Sequence, residues 1–425
     1  MQVRRCSVLM MELRETVTFD LQGLMQGGDG LCRRQAWLAL APHLPEPVEL
    51  DAGQQAWLGR LSPSAWQELT ADSEEAGMVP PLQQAGLVFV QGSATDAASI
   101  ADEALRSTYW HPLAAVLHAF SRWDGVDAVG NMRASRTETA VQMRETLGAP
   151  PATTVSRCSE GAIALPRAEP AAFDTLLARR ATCRNFDWQR PLPLPMLARM
   201  LQRTFGSTGE HRVGEDLVFM KKNVPSGGGL HPIEAYLVVQ HVEGLPAGLY
   251  HYRGDTHVLE PVVSDSEVDR DFVMEVVGQQ HWFADAHVLV ILAPRFDRTF
   301  WKYRQHAKSY RVIALEAGHL SQTLYLAATD DGLGAFITAA INEKAIERAL
   351  SLDPVTDGVL AVCGFGWRAA TMTTTELDPA GVIWNLEDRA GGPPPGPGGN
   401  PPGGGQPRRP RPHQGAGRGG GRCAQ

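Results

Sequence analysis

Three arginines and a threonine hydroxyl fall within six residues in the stretch RRATCRNF, residues 179–186, and no acid lies among them. Guanidinium forks bind phosphate through paired N–H groups, and a hydroxyl adds a short donor. The pattern therefore suggests a site for a phosphate group. The same arginines could equally form a solvated basic face that pairs with acids such as Asp174 or Asp187, and the pattern alone does not separate these two interpretations.

A second stretch, NVPSGGGLHPIEAYLVV, residues 223–239, places three consecutive glycines between a serine and an apolar, strand-like run. It is not a P-loop, because no Gly-Lys-Ser/Thr follows, and it is not a dinucleotide fingerprint, because its glycines precede a strand instead of opening a helix. Bare backbone amides can lie against a flat ligand. Taken alone, the stretch is more typical of an ordinary glycine-rich surface loop. We expect His231, just after the glycines, to pack rather than to contact a substrate.

A third stretch, FWKYRQHAKSYR, residues 300–311, interleaves aromatic and basic side chains around Lys302 and Tyr303. Such Lys-Tyr neighbours are common and carry no function by themselves. Consecutive residues of a regular helix or strand point in different directions. The two side chains can therefore act on one group only where the backbone is irregular.

The sequence divides the 425-residue chain into four parts, and all three stretches fall in the third. We expect a small, mainly helical, winged-helix-like module over residues 1–100, in which RRQAWLALAPHL, residues 33–44, forms a helix. A helical segment and linker should follow over 101–168, and an α+β domain over 169–388. The Pro-, Gly- and Arg-rich segment 389–425 cannot bury a core and should form a disordered tail.

The elements of the third part can be predicted from periodicity. Residues 310–334 have apolar positions at helical spacing and end at glycines, which indicates a long amphipathic helix. Two alternating runs around Gly254-Asp255 indicate a hairpin, and AHVLVILAPRF, residues 286–296, indicates a buried strand. The expected domain is a sheet with long helices packed against it.

Charge and cysteine usage limit the possible partners. The net charge is −8, and the basic tail leaves the rest of the chain more acidic still, which argues against a nucleic-acid partner. The six cysteines have neither CxxC nor zinc-ligand spacing, so no metal site is expected. No run approaches the roughly 20 apolar residues that span a bilayer. We expect a cytoplasmic protein without a membrane partner.

The order and spacing of these stretches resemble the nitroreductase-like flavoprotein superfamily, and within it the SagB-type dehydrogenases that mature ribosomally made peptides. The resemblance covers about residues 171–368. The motifs that carry it are R-x-T-x-R-x-F (180–186), PSGGGLHP-x-E-x-Y (225–236), GLYHY (248–252), WKY…YR…LEAGHLSQTLYLAA (301–328) and GLG (332–334).

The resemblance implies a nitroreductase-like fold, with a central, mainly antiparallel sheet between long helices. It also implies a homodimer with FMN at the subunit interface. Lys302 and Tyr303 match the pair regarded as catalytic in azoline-oxidising members. Many members have Gly-Gly after the GLG strand, where this chain has two alanines. The residues implied to bind FMN are Arg180, Thr182 and Arg184 at the phosphate end, and Pro225, Ser226, Gly227, Gly228, Ala339 and Ala340 near the ring.

The implied function is FMN-dependent oxidation of peptide thiazoline or oxazoline rings to azoles, with a modified precursor peptide as substrate and a cyclodehydratase as a possible complex partner. Two alternatives remain open. One is a small-molecule nitro- or quinone-reductase that uses NAD(P)H, and the other is a non-catalytic, peptide-binding partner of a cyclodehydratase.

Overall fold

The computed structural model of the protein describes residues 1–155, 157 and 161–384. The tail predicted for residues 389–425 lies outside the described residues. No helix in the described part is long and apolar enough to cross a membrane.

The first hundred residues contain two small antiparallel sheets and short helices around a core of their own, which includes Trp57, Leu58 and Leu82. The strand orders of the sheets are β5-β1-β6 and β2-β3-β4. Their elements are β1 (Gln2–Arg5), β2 (Met10–Phe19), α1 (Leu21–Met25), β3 (Leu31–Leu40), β4 (Val48–Leu50), α2 (Ala52–Leu58), β5 (Gln67–Glu68), α3 (Val79–Gln84) and β6 (Val88–Val90).

This part contains more strand than its sequence indicates, and the helix predicted for residues 33–44 is wrong. Leu31–Leu40 is a strand that pairs with all ten residues of β2 and then with β4. Alanine, leucine and arginine favour a helix locally, but pairing with neighbouring strands overrides that weak preference. The alternation places Trp37 and Ala39 against the module core.

A run of short helices follows: α4 (Ala97–Arg106), α5 (Pro112–Ser121), α6 (Ala128–Ala134) and α7 (Ala140–Leu147). Trp110 anchors this run to the domain after it, because its ring contacts Phe296 and Phe300 in tilted and edge-on arrangements, with centroids within 4.7 Å, and its Nε1 donates to Val355 O at 2.8 Å. A buried indole of this kind combines a large apolar surface with one satisfied donor.

The third part has the predicted α+β architecture, built on a six-stranded, fully antiparallel sheet in the order β11-β10-β9-β12-β14-β13. A separate two-stranded hairpin, β7-β8, stands beside it. The elements are α8 (Ala172–Arg179), α9 (Leu194–Phe205), β7 (Ser207–Arg212), β8 (Val218–Lys222), β9 (Ile233–Val239), β10 (Gly248–Arg253), β11 (Val258–Pro261), α10 (Arg270–Val276), β12 (Val288–Pro294), α11 (Phe296–Lys302), α12 (Ser309–Asp330), β13 (Leu333–Thr338), α13 (Glu343–Leu350) and β14 (Ala361–Trp367).

Both faces of this sheet are buried, because its strands alternate between two cores. Val288 and Val290 of β12 pack into the core shared with α9 and α12, which we call the α12 face. Leu289 and Ile291 pack into the core shared with α10 and α13, which we call the α10 face. Helix α12 buries apolar residues at helical spacing on its face of the sheet and ends before Gly332, which has φ +74°.

Candidate active site

The three-glycine stretch forms a tight turn between β8 and β9. Gly228 and Gly229 have φ values of +70° and +69°, a region that residues with a Cβ rarely adopt. A Cβ on Gly227 would lie 2.1 Å from Cγ1 of Val312, in the first turn of α12. Both the backbone conformation and the packing therefore require glycine here, so this is a shaped loop rather than an arbitrary surface connection.

Lys302 and Tyr303 converge on the middle of this loop. A Cβ built on Gly228 would lie 2.8 Å from Lys302 Nζ and 2.9 Å from Tyr303 Oη. Tyr303 ends α11 with φ −109° and ψ 53°, outside the helical region, and its ring centroid lies 5.4 Å from Lys302 Nζ. This irregular backbone lets two consecutive side chains reach the same glycine.

His231 lies behind the loop and packs, as the sequence suggested. It is 5% exposed, its backbone N–H donates to Ser226 Oγ at 2.9 Å, and its φ is +48°. Burial, followed by the nearby Lys222 ammonium, lowers the pKa of His231 to about 4. The imidazole is therefore neutral at physiological pH and serves to hold the turn.

A buried carboxylate completes the support of the loop. Glu316 on α12 is 2% exposed, with Oε1 3.9 Å from His231 Nδ1. Burial raises the pKa of Glu316, and the Ser226 hydroxyl and the Lys222 ammonium oppose that rise. On the other side of the turn, the Pro225 carbonyl oxygen lies 3.1 Å from His319 Nδ1. The loop is thus fixed to α12 by polar contacts as well as by packing.

The first part of the arginine motif lies on the α12 face, at the outer edge of β13. Thr182 bridges to Ala335 of β13, and its Oγ1 lies 3.0 Å from Tyr325 Oη on α12. The guanidinium carbon of Arg180 lies 5.4 Å from the centroid of the Tyr325 ring. A half-buried cation and a hydroxyl therefore stand side by side, which suits an anionic ligand. Sequence reasoning missed Tyr325, although it lies within the matched LYLAA segment.

Arg184, the last cation of this motif, turns away from the other two functional side chains. Its guanidinium carbon lies 6.0 Å from the ring centroid of Phe283, in the core of the α10 face. The structure thus brings Arg180 and Thr182 together and separates Arg184 from them.

The alternative partners of the arginines are engaged elsewhere. Asp174 accepts from Ala171 N at 2.7 Å, at the start of α8, and Asp187 lies 3.8 Å from Arg190 Nε. Within the described part of the chain, neither Arg180 nor Arg184 has a carboxylate within 4.0 Å. Unpaired guanidinium groups at these positions fit a phosphate ligand better than a self-neutralised basic face.

Arg368, at the end of β14, is neutralised within the protein. It forms an ion pair with Glu376, whose side chain is fully buried. Glu376 also accepts from Arg184 N at 2.6 Å and from Asn185 Nδ2 at 2.8 Å. Glu376 therefore fastens the segment after β14 to the arginine motif, and nothing in the local sequence around it indicated this role.

Ala339 and Ala340 follow β13 directly. Ala339 is exposed, while the Ala340 carbonyl accepts from Gln280 Nε2 at 2.7 Å. The two alanines thus lie at one end of the strand beside which Thr182 runs, and they leave small side chains there.

Helix α12 connects the two motifs. The glycine loop contacts Val312 and Thr182 contacts Tyr325, and these helical residues are roughly 20 Å apart at a rise of about 1.5 Å per residue. One end of the arrangement offers the Arg180 cation and the Thr182 hydroxyl. The other offers bare backbone facing an ammonium and a phenol. These donor types fit a cofactor with a phosphate and a flat ring system, as FMN has.

The part of the chain that matches known proteins lies within the α+β domain. Residues 177–367 match the model of the Nitroreductase family. The protein named nitroreductase MJ1384 of Methanocaldococcus jannaschii is 30% identical over 190 residues, which cover 45% of this chain and 89% of that protein.

Two further relatives are peptide-processing proteins by name. Trifolitoxin-processing protein TfxB of Rhizobium leguminosarum bv. trifolii is 33% identical over 162 residues, covering 36% of this chain and 40% of TfxB. Microcin B17-processing protein McbC of Escherichia coli is 26% identical over 186 residues, covering 43% of this chain and 65% of McbC. The chain therefore spans less than two-thirds of the length of either peptide-processing relative.

Proposed function

This chain belongs to the nitroreductase family, and we propose that it is an FMN-dependent dehydrogenase that oxidises thiazoline or oxazoline rings of a ribosomally made peptide to azoles. The observation that carries the proposal is the convergence of Lys302 Nζ and Tyr303 Oη on Gly228. The names of the relatives TfxB and McbC, which concern peptide processing, point in the same direction.

The residues for holding FMN are those of the two motifs. Arg180 and Thr182 would bind the phosphate end, with Arg184 nearby on the chain. The backbone of Pro225, Ser226, Gly227 and Gly228 would lie along the ring system, where the loop leaves no room for side chains, and Ala339 and Ala340 would border it.

We further propose a homodimer in the cytoplasm with the flavin at the subunit interface. The outer face of α12 supports this, because it leaves Leu315 63% exposed beside Ala314 and Gly318. Small residues at one helix face let a second helix approach closely. A cyclodehydratase that supplies the azoline peptide would be the natural partner enzyme.

Oxidation of an azoline to an azole removes one hydride and one proton from the ring. When bound, the flavin supplies the hydride acceptor. Tyr303 would take the proton as the general base, and the Lys302 ammonium next to it would stabilise the phenolate. Glycine at position 228 lets both side chains lie close to the loop backbone, because a Cβ there would be within 2.9 Å of Lys302 Nζ and Tyr303 Oη.

The proposal is tested by incubating the purified protein, reconstituted with FMN, with a peptide that contains azoline rings. Mass spectrometry should find a loss of two hydrogens per ring. The name of MJ1384 favours one alternative, an NAD(P)H-dependent nitro- or quinone-reductase. Rapid NADPH-dependent reduction of a quinone without azole formation would support it. A protein that binds the peptide but takes up no flavin would instead be a non-catalytic partner.

The position of Gly228 provides a prediction about this pair. Gly228→Ala should lower azole formation by about tenfold or more, because the new methyl group would displace Lys302 Nζ and Tyr303 Oη. A matched control is Gly244→Ala, which has a φ of +73° and open space around its Cβ position. Both variants should lose about 1–2 kcal/mol of folding free energy from backbone strain, measured by chemical denaturation. Equal loss of activity in the two would contradict the assigned role of the pair.

A further inference from the structure

A cleft of about 350 Å³ opens between the β7-β8 hairpin and α11, and its wall includes Trp301, the residue before Lys302. This volume is at the small end of the range for ligand pockets, roughly 300–1,000 Å³, and has room for one or two side chains. Its principal lining residues are Leu217, Phe219, Leu230, Arg298 and Trp301.

The wall of the cleft adjoins the glycine loop. Leu230 in its wall directly follows the three glycines, and Phe219 Cδ1 lies 3.8 Å from the position of a Cβ on Gly229. Trp301 immediately precedes Lys302 on α11. Consecutive Cα atoms of a peptide are about 3.8 Å apart. A substrate whose ring lies at the Lys302–Tyr303 pair therefore has a neighbouring residue that can extend toward the cleft.

The lining is apolar and aromatic. Leu230 is buried, Phe219 is half-buried, and Trp301 remains 50% exposed, although burial of an indole is strongly favourable. A large apolar side chain from a ligand would remove this surface from water.

The polar groups of the cleft suit an uncharged peptide backbone rather than a phosphate. Arg298 Nε donates to the Leu230 carbonyl at 2.5 Å, which fixes the guanidinium and leaves its other N–H groups. In the described residues no carboxylate lies within 4.0 Å of it. Asp216 also lines the cleft, so one acid balances one base and the site has no net charge for an anion. Peptide carbonyl oxygens are neutral acceptors that match such a donor.

We propose that this cleft is a specificity subsite that binds a large apolar side chain next to the ring to be oxidised, while Arg298 donates to the peptide backbone. The inference rests on the proposed function, and it adds a sequence preference to it. A substrate peptide with leucine beside the ring should bind better than one with glycine.

The test uses two synthetic peptides, each with one thiazoline preceded by leucine or by glycine. For the FMN-loaded wild type, we expect kcat/KM to favour the leucine peptide by about tenfold. Trp301→Ala and, as a second variant, Phe219→Ala should reduce this ratio to near one. The exposed Trp123, remote from the cleft, provides the control, and Trp123→Ala should keep the preference. Arg298→Ala should weaken both peptides equally.

Binding is measured separately by fluorescence anisotropy of the same two peptides, fluorescein-labelled, with the flavin-free protein. The subsite is overturned if the wild type shows no leucine preference, or if both cleft variants keep the preference unchanged. In either case, azole formation from both peptides would still support the proposed function. A leucine preference in binding that the cleft variants abolish, without oxidation of either peptide, supports the subsite and overturns the proposed function.

Discussion

Replacing Tyr303 with phenylalanine is expected to lower the rate of azole formation by about 10²–10⁴-fold, the usual contribution of a general base. The substitution removes only the hydroxyl that lies 2.9 Å from the Cβ position of Gly228, so the fold and the flavin content should be unchanged. The measurement is the loss of two hydrogens per ring, followed by mass spectrometry under single-turnover conditions. Full azole formation by Tyr303→Phe would show that the proton leaves by another route.

Two further variants make this test specific. Tyr250→Phe removes a hydroxyl whose hydrogen bond, to Pro246 O, stays within its own segment of the chain, so it should keep full activity. Lys302→Ala should be impaired in the same direction as Tyr303→Phe. The double variant should be little worse than the more impaired single one, because residues that act as a unit give non-additive losses.

The regular elements of the nitroreductase-family domain follow from local sequence, because the helical and the strand periodicity of its apolar residues are both strong. The long helix α12 and strand β12 form where apolar spacing predicted them. Local preference failed at residues 33–44, where pairing with β2 decides the structure. A ten-residue strand with one neighbour along most of its length is specified by that neighbour, which single-segment reasoning does not include.

In the candidate site, too, local sequence predicted the motifs but not the contacts between distant segments. Its two motifs are short and linear, so residue types and spacing were sufficient to find them. Their geometry depends on contacts between distant segments. Lys302 and Tyr303 meet Gly228 only because α11 ends in a non-helical residue over the loop. Glu376 reaches the arginine motif from about 190 residues further along the chain, a contact that no local pattern encodes.

The arginine motif also shows that residue spacing alone does not predict where each side chain lies. Residues two apart in an extended segment are expected to share a side. Arg180 and Thr182 do so at Tyr325, but the guanidinium carbon of Arg184 lies 6.0 Å from the ring of Phe283, a core residue of the opposite face. The bridge between Phe186 and Arg368 binds this end of the segment to β14, away from α12. The contribution of Arg180 to phosphate binding is therefore expected to exceed that of Arg184.

Arg180→Ala is expected to weaken FMN binding by about tenfold to a hundredfold, since a hydrogen bond to a charged group contributes about 1.5–3 kcal/mol. The guanidinium is half-buried over Tyr325 and has no carboxylate partner among the described residues, so its removal costs the fold no ion pair. The matched control is Arg179→Ala, which removes an exposed arginine of the same helix end. Flavin retained after gel filtration, measured by its absorbance relative to protein, should fall for Arg180→Ala and stay high for Arg179→Ala. Equal retention in both would mean that the phosphate is bound by other residues, and the site at Tyr325 would then have to be reassigned.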